Sequence, residues 1–138
     1  LTEPLGFSLS EKTVKRSGVN YNEFCEYQTY LDIEDFFNKN IGTYYFLTRY
    51  ATKSYTEVDY SNSYENIYLL FGKESTGIPK EILHNNLDKC LRIPTNDSIR
   101  ALNLSNSVAI VLFEALRQQK FNDLLVYDKE KGRDYLEK

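Results

Sequence analysis

The stretch IYLLFG at 67–72 is an unbroken apolar run cut off by a glycine, and it constrains the fold more than any other segment. A strand with one wetted face alternates apolar and polar residues. An apolar run without alternation needs cover on both faces, as in a parallel sheet. Similar β-prone runs stand at TYYFLTRY (43–50) and CLRIP (90–94). Helix-like segments alternate with them. DIEDFFNKN (32–40) carries acids in its first turn, where they suit the helix dipole. PKEILHNN (79–86) opens on a proline suited to the first helical position. A long helix is predicted from about Leu104 to Lys120, with apolar residues at 104, 108, 111, 112, 115 and 116. The predicted class is therefore α/β, with a parallel sheet between helices. A length of 138 residues suits one domain with a core of its own.

Other segments read less sharply. LTEPLGFSL carries Pro4 and Gly6 and suits a loop leaving a strand. SEKTVKRSGVNY suits a short basic helix with Ser10 as N-cap and Gly18 beyond its end. YNEFCEYQTYL suits a strand or its approach, and SYTEVDYSNSYEN is polar with at most a short strand.

Composition narrows the function classes. The chain is 41% hydrophobic and 27% charged, which is that of an ordinary soluble globular protein. It lacks a long apolar span and a signal-peptide pattern, so a cytoplasmic protein without a membrane anchor is expected. A net charge of −3 argues against nucleic-acid binding by bulk electrostatics but leaves room for a local basic patch. Cys25 and Cys90 lack metal-ligand spacing and have only His84 to join them, so reduced thiols and no metal are expected. His84 reads as a solvated residue of a polar helix. No serine or cysteine has a visible base.

Two loops at predicted strand ends remain as candidate sites: FGKESTGIP (71–79) and RIPTNDSIRALNLSN (92–106). Ligands of open α/β sheets bind outside the carboxyl ends of the strands. Gly72 and Gly77 allow positive φ or close approach of a ligand, and Glu74 lies between them. The same residues also describe a plain turn with two glycines and one surface acid. In the second loop, Asn103, Ser105, Asn106 and Ser107 crowd the entrance of an apolar helix. Capping explains one or two of them. Burying the others without partners would cost roughly 1–3 kcal/mol each, which points to a ligand or neighbouring loops.

FGKESTGIP, RIP and RALNLSNSVAIVLFEALRQQ, in that order and spacing, closely resemble the C-terminal signature of the SPOUT methyltransferases. LTEPLGF and KRSGVNY narrow the resemblance to the small single-domain enzymes that methylate the ribose 2′-hydroxyl of tRNA nucleotide 34. It covers essentially the whole chain. It implies a Rossmann-like parallel sheet with a C-terminal deep trefoil knot, S-adenosylmethionine as cofactor, the tRNA anticodon stem-loop as substrate, and a homodimer joined through the long helix. By the same resemblance, Leu47, Thr48, Gly72, Ile93, Ala101 and Leu102 hold the cofactor, largely through backbone groups. Asn106 supports the knot beside it, Glu74 and Asn103 shape the catalytic pocket, and Lys15 and Arg16 face tRNA phosphates.

Three departures accompany the match. The family's N-terminal strand and the following asparagine- and arginine-bearing loop, where the base is expected, have no counterpart in these 138 residues. Ala101 stands where relatives usually carry serine, and Phe113 where tyrosine is common. They leave a second reading: a degenerate knot domain that binds tRNA or S-adenosylmethionine without catalysis.

Overall fold

The computed structural model describes residues 1–3 and 26–138. The basic segment at 10–18, with Lys15 and Arg16, and Cys25 lie outside the described residues. The chain divides into two compact units, Leu1–Ile41 and Gly42–Lys138.

In the first unit, helix α1 spans Ile33–Lys39, as the sequence predicts. Asp32 caps it by accepting from the Asp35 amide at 2.8 Å, and Asp35 pairs with Lys39 one turn on at 2.9 Å. Phe36 packs edge-on against Tyr30, with ring centroids 5.2 Å apart. The approach to α1 is extended, and Tyr30 forms a parallel bridge with Thr2.

The second unit is built on strands β1 (Thr43–Leu47), β2 (Ile67–Leu70) and β3 (Cys90–Leu91). They form a parallel sheet in the order β2-β1-β3. Tyr45 and Phe46 are consecutive, face opposite sides of β1, and are both buried. The central strand is thus covered on both faces, as an unbroken apolar run requires. Helix α2 (Lys80–His84) leads into β3 and places the buried Leu83 beneath the Cys90 thiol. Pro79 sits one position earlier than expected, at the N-cap with φ −53° and ψ 135°, because the helix proper begins at Lys80. Helix α3 spans Leu104–Gln118 and buries Val111 and Ala115.

The polar connection from β1 to β2 makes one isolated parallel bridge, Ser54 with Arg92, and then a 3₁₀ turn at Tyr55–Glu57, with Ser54 and Glu57 capping each other. It delivers Tyr60, which is fully buried. The Tyr60 ring packs edge-on against Tyr45 at 5.4 Å, and its hydroxyl donates to the Tyr55 carbonyl at 2.5 Å. Leu91 and Ala115 complete this core. Gln118 locks the segment to α3: its Oε1 accepts from the Tyr60 amide at 2.7 Å and its Nε2 donates to the Val58 carbonyl at 3.1 Å.

Helix α3 is only partly buried. One stripe enters the core, while Val108, Ile110, Leu112 and Phe113 remain at least a third exposed.

Two predictions follow from this packing. A Cβ at Gly42 would collide with the Asn66 carbonyl and approach the Tyr68 ring to 2.9 Å, at the point where β1 and β2 come into register. Gly42→Ala is expected to cost roughly 1–3 kcal/mol, read as a lower urea midpoint. The second concerns Glu114, whose carboxylate accepts two bonds from Arg117 at 2.9 Å and one from Gln118 at 3.1 Å. Chiefly through Arg117, these bonds hold its pKa down to about 2, against 4.5 for the free group. The ionised form therefore stabilises the fold above pH 4.5, and that contribution fades as pH falls towards 2. Urea midpoints measured between pH 5 and pH 2 should flatten in Glu114→Gln relative to the parent chain.

Candidate functional site

All three strands point their carboxyl ends the same way, so the loops after Leu47, Leu70 and Leu91 converge. Between them lies a cavity of about 620 Å³, within the range of small-molecule sites. Its floor is apolar, with Leu47, Phe71, Ile78, Ile93, Leu102 and Leu104; its rim is polar. The cavity lies outside the carboxyl ends of the strands, where ligands of such sheets usually bind.

Local chemistry fixes each loop. Thr48 donates its amide to the Leu91 carbonyl at 2.9 Å and accepts from the Tyr50 amide through its hydroxyl at 3.2 Å, which turns the chain sharply after β1. Arg92 reaches back from the β3 side and donates to the Arg49 carbonyl at 2.8 Å. After β2, Gly72 has φ +111° and Gly77 φ +74°, conformations that favour glycine. No atom lies within 4 Å of the position a Cβ would take at either residue, so both leave open space. The 71–79 loop is therefore more than a glycine-marked turn: it forms one wall of the cavity.

Of the site residues expected from sequence, Leu47, Thr48, Gly72, Glu74, Ile93, Ala101 and Leu102 all line this cavity. Glu74 is exposed at the rim. Asn103 and Asn106 are not among the lining residues. The polar entrance of α3 is largely exposed, contrary to the buried cluster expected, and it is a cap. Asn103 Oδ1 accepts from the amides of Ser105 at 3.0 Å and Asn106 at 3.3 Å and from the Ser105 hydroxyl at 2.6 Å. The Ser107 hydroxyl donates to the Asn103 carbonyl at 3.1 Å, and Ser107 also lines the cavity. Capping thus accounts for more of the cluster than one or two groups.

Sequence reasoning missed Arg49, Tyr50, Lys73 and Arg100, which also line the cavity. Lys73 and Arg100 stand in the two loops already singled out, whereas Arg49 and Tyr50 close the β-prone run 43–50 and reach the cavity because β1 stops at Leu47. The Cys90 thiol is buried against the carbonyls of Leu83 and Asn86, and burial raises its pKa. It is therefore an unreactive packed group. Among the described residues no group of three or more His, Cys, Asp or Glu side chains could hold a metal ion, and no helix is long and apolar enough to cross a membrane.

Comparison with known proteins agrees with this architecture. A relative from Geobacillus stearothermophilus, named for tRNA (cytidine(34)-2′-O)-methyltransferase activity, is 46% identical over 90% of this chain and 80% of its own length. A solved RNA methyltransferase structure from Bacillus anthracis superposes with a TM-score of 0.85 at 43% identity, covering 92% of this chain and 81% of the other. A structure described as giving insight into 2-OH methylation of C/U34 on tRNA superposes at 0.77 and 31% identity, covering 88% and 78%. An AdoMet-bound rRNA methyltransferase from Sinorhizobium meliloti superposes at 0.53 and 30% identity over 62% of this chain and 33% of its own. The sequence model of the SpoU rRNA methylase family matches residues 1–113, from the first unit through most of α3. A parallel α/β sheet with its cavity at the strand ends, carried by that sequence match, places the chain in the SpoU rRNA methylase family.

Proposed function

We propose that the protein transfers a methyl group from S-adenosylmethionine to the ribose 2′-hydroxyl of nucleotide 34 in the tRNA anticodon stem-loop. The observation that carries this reading is the cavity at the strand ends, lined by seven of the residues that the family resemblance assigns to cofactor and catalysis. The relative and the structural neighbour named for methylation at position 34 support the same reaction.

The residues present fit such a cofactor. Gly72 and Gly77 keep side chains out of a wall that a flat, polar ligand would approach, and Leu47, Ile93 and Leu102 offer it apolar surface. The backbone around Thr48, Gly72, Ile93, Ala101 and Leu102 holds the cofactor in this reading, so alanine at 101 costs only a hydroxyl contact. S-adenosylmethionine supplies an electrophilic methyl group on a sulfonium. The chain's task is then to hold a ribose hydroxyl in line with it, and such positioning supplies much of the barrier reduction. Glu74 stands at the rim to order the reacting groups. Asn103 contributes as a positioning residue, by fixing the start of α3 behind Ser107. Asn106 presents its amide to the same cap.

The reading extends to assembly. The segment from Ile93 to Asn106 threads as the family's knot. The exposed apolar residues Val108, Leu112 and Phe113 of α3 join two copies in a cytoplasmic homodimer, for a helix apolar on most sides calls for cover. Lys15 and Arg16 extend the RNA-facing surface.

The direct test is transfer of labelled methyl to tRNA, with nuclease digestion to locate it at the ribose of nucleotide 34. Methylation elsewhere, or only binding without transfer, would overturn the reading. In isothermal titration, Gly72→Val should abolish S-adenosylmethionine binding, because a branched side chain resists φ +111° and enters the cavity. For Asn103 two replacements separate roles. Asn103→Ala should lose about 1 kcal/mol of stability together with methyl transfer, whereas Asn103→Asp should keep both by preserving the cap acceptor. Loss of transfer in Asn103→Asp at full stability would mean that the amide itself contacts the reactants.

A further inference from the structure

Arg49 and Tyr50 follow β1 at the cavity mouth. Tyr50 is 70% exposed and lines the cavity. It is also held in place. The Arg49 guanidinium lies 4.8 Å from the ring centroid and donates to the Tyr50 hydroxyl at 2.7 Å. The backbone beneath is fixed by Thr48 and by Arg92, which donates to the Arg49 carbonyl at 2.8 Å. An exposed ring braced by a cation loses little conformational entropy on binding, which suits a stacking platform.

The charge around it selects the partner. Arg49, Lys73 and Arg100 line the cavity against Glu74 alone, although the chain as a whole carries −3. Three cations at one mouth suit a polyanion. They suit S-adenosylmethionine less, because its single carboxylate is outweighed by a positive sulfonium and ammonium. Aromatic rings flanked by arginine recognise single-stranded RNA bases through stacking, with phosphates neutralised alongside.

We infer that Tyr50, braced by Arg49, is the stacking platform for an unpaired nucleobase of the RNA loop, while Arg49 and Arg100 meet the adjoining phosphates. This deepens the proposed function and rests on it for the identity of the RNA. Tyr50 is a positioning residue here: it orients the nucleotide whose ribose enters the cavity.

The test measures binding of an anticodon stem-loop RNA to the full chain by fluorescence anisotropy, and S-adenosylmethionine by titration calorimetry. Tyr50→Ala should raise the RNA Kd roughly tenfold, and Tyr50→Phe should recover most of that loss, since the ring face remains. S-adenosylmethionine affinity should stay the same in both. Arg49→Gln should also reduce the slope of log K against log salt by about 0.7. An unchanged RNA Kd in Tyr50→Ala, with the parent fold by circular dichroism, overturns the inference. So does a parallel loss of S-adenosylmethionine affinity, which would put adenine on the ring. Should the RNA Kd respond as expected while the parent chain transfers no methyl, the platform stands and the proposed reaction falls.

Discussion

Tyr60 ties the larger unit together. It lies on neither strand nor helix, yet its ring is fully buried between the sheet and α3, edge-on to Tyr45. Its backbone amide and carbonyl bond to side chains at the end of α3, the amide to Gln118 and the carbonyl to the C-cap residue Gln119 at 2.8 Å. Burying a phenol is tolerable only when the hydroxyl keeps a partner, and the Tyr55 carbonyl supplies one within the same loop. Burial pushes the Tyr60 pKa well above the usual phenol value, so the hydroxyl remains a proton donor throughout the working range. Sheet, crossover segment and long helix thus share one residue.

The orientation of α3 follows from this anchor. One stripe of the helix serves three purposes in turn: Leu104 and Ser107 wall the cavity, Val111 and Ala115 fill the core, and Gln118, bonded to Glu114, holds the crossover. The spacing of these residues keeps them on one face. A shift of the helix by one turn would therefore uncouple core from cavity. The Asn103 cap fixes its register at the other end. Ordinary helix physics, a cap at one end and an amide clamp at the other, sets the width of the ligand cavity.

The strands were legible because the sheet is parallel. IYLLFG and TYYFL are buried or half-buried on both faces, so periodicity and β-propensity agreed. Seven of the cavity-lining residues were legible through family resemblance; spacing arguments alone reach only Gly72 and Glu74, because the others are small or apolar residues without a motif of their own. Tyr60 was hidden because its neighbours in SYTEVDYSNSYEN are polar, and burial of a single ring in a loop has no period. The cluster around Asn103 was legible only in part: a cap was foreseen, but not that it would satisfy most of the cluster at the surface. A dense polar cluster suggests buried groups in need of ligands, whereas its bonds are local and almost entirely within one helical turn. Arg49 and Tyr50 show neither period nor motif; only the sharp turn after β1 brings them to the rim.

The electrostatics of the site argue for a division of labour between its layers. The floor is apolar, so a ligand there meets shape with little net charge. The rim holds Arg49, Lys73 and Arg100 around one acid, so a long anion is attracted before any part of it enters. An acidic protein gains specificity from that arrangement. Its overall charge repels nucleic acid from most of the surface, and the local cations act within about a Debye length, roughly 8 Å at physiological salt. Only RNA presented close to the mouth, in an unpaired form whose base can reach Tyr50, meets both attraction and a ring to stack on. In the proposed reaction, selection of the nucleotide therefore precedes alignment of its ribose, with charge acting at the rim and shape at the floor.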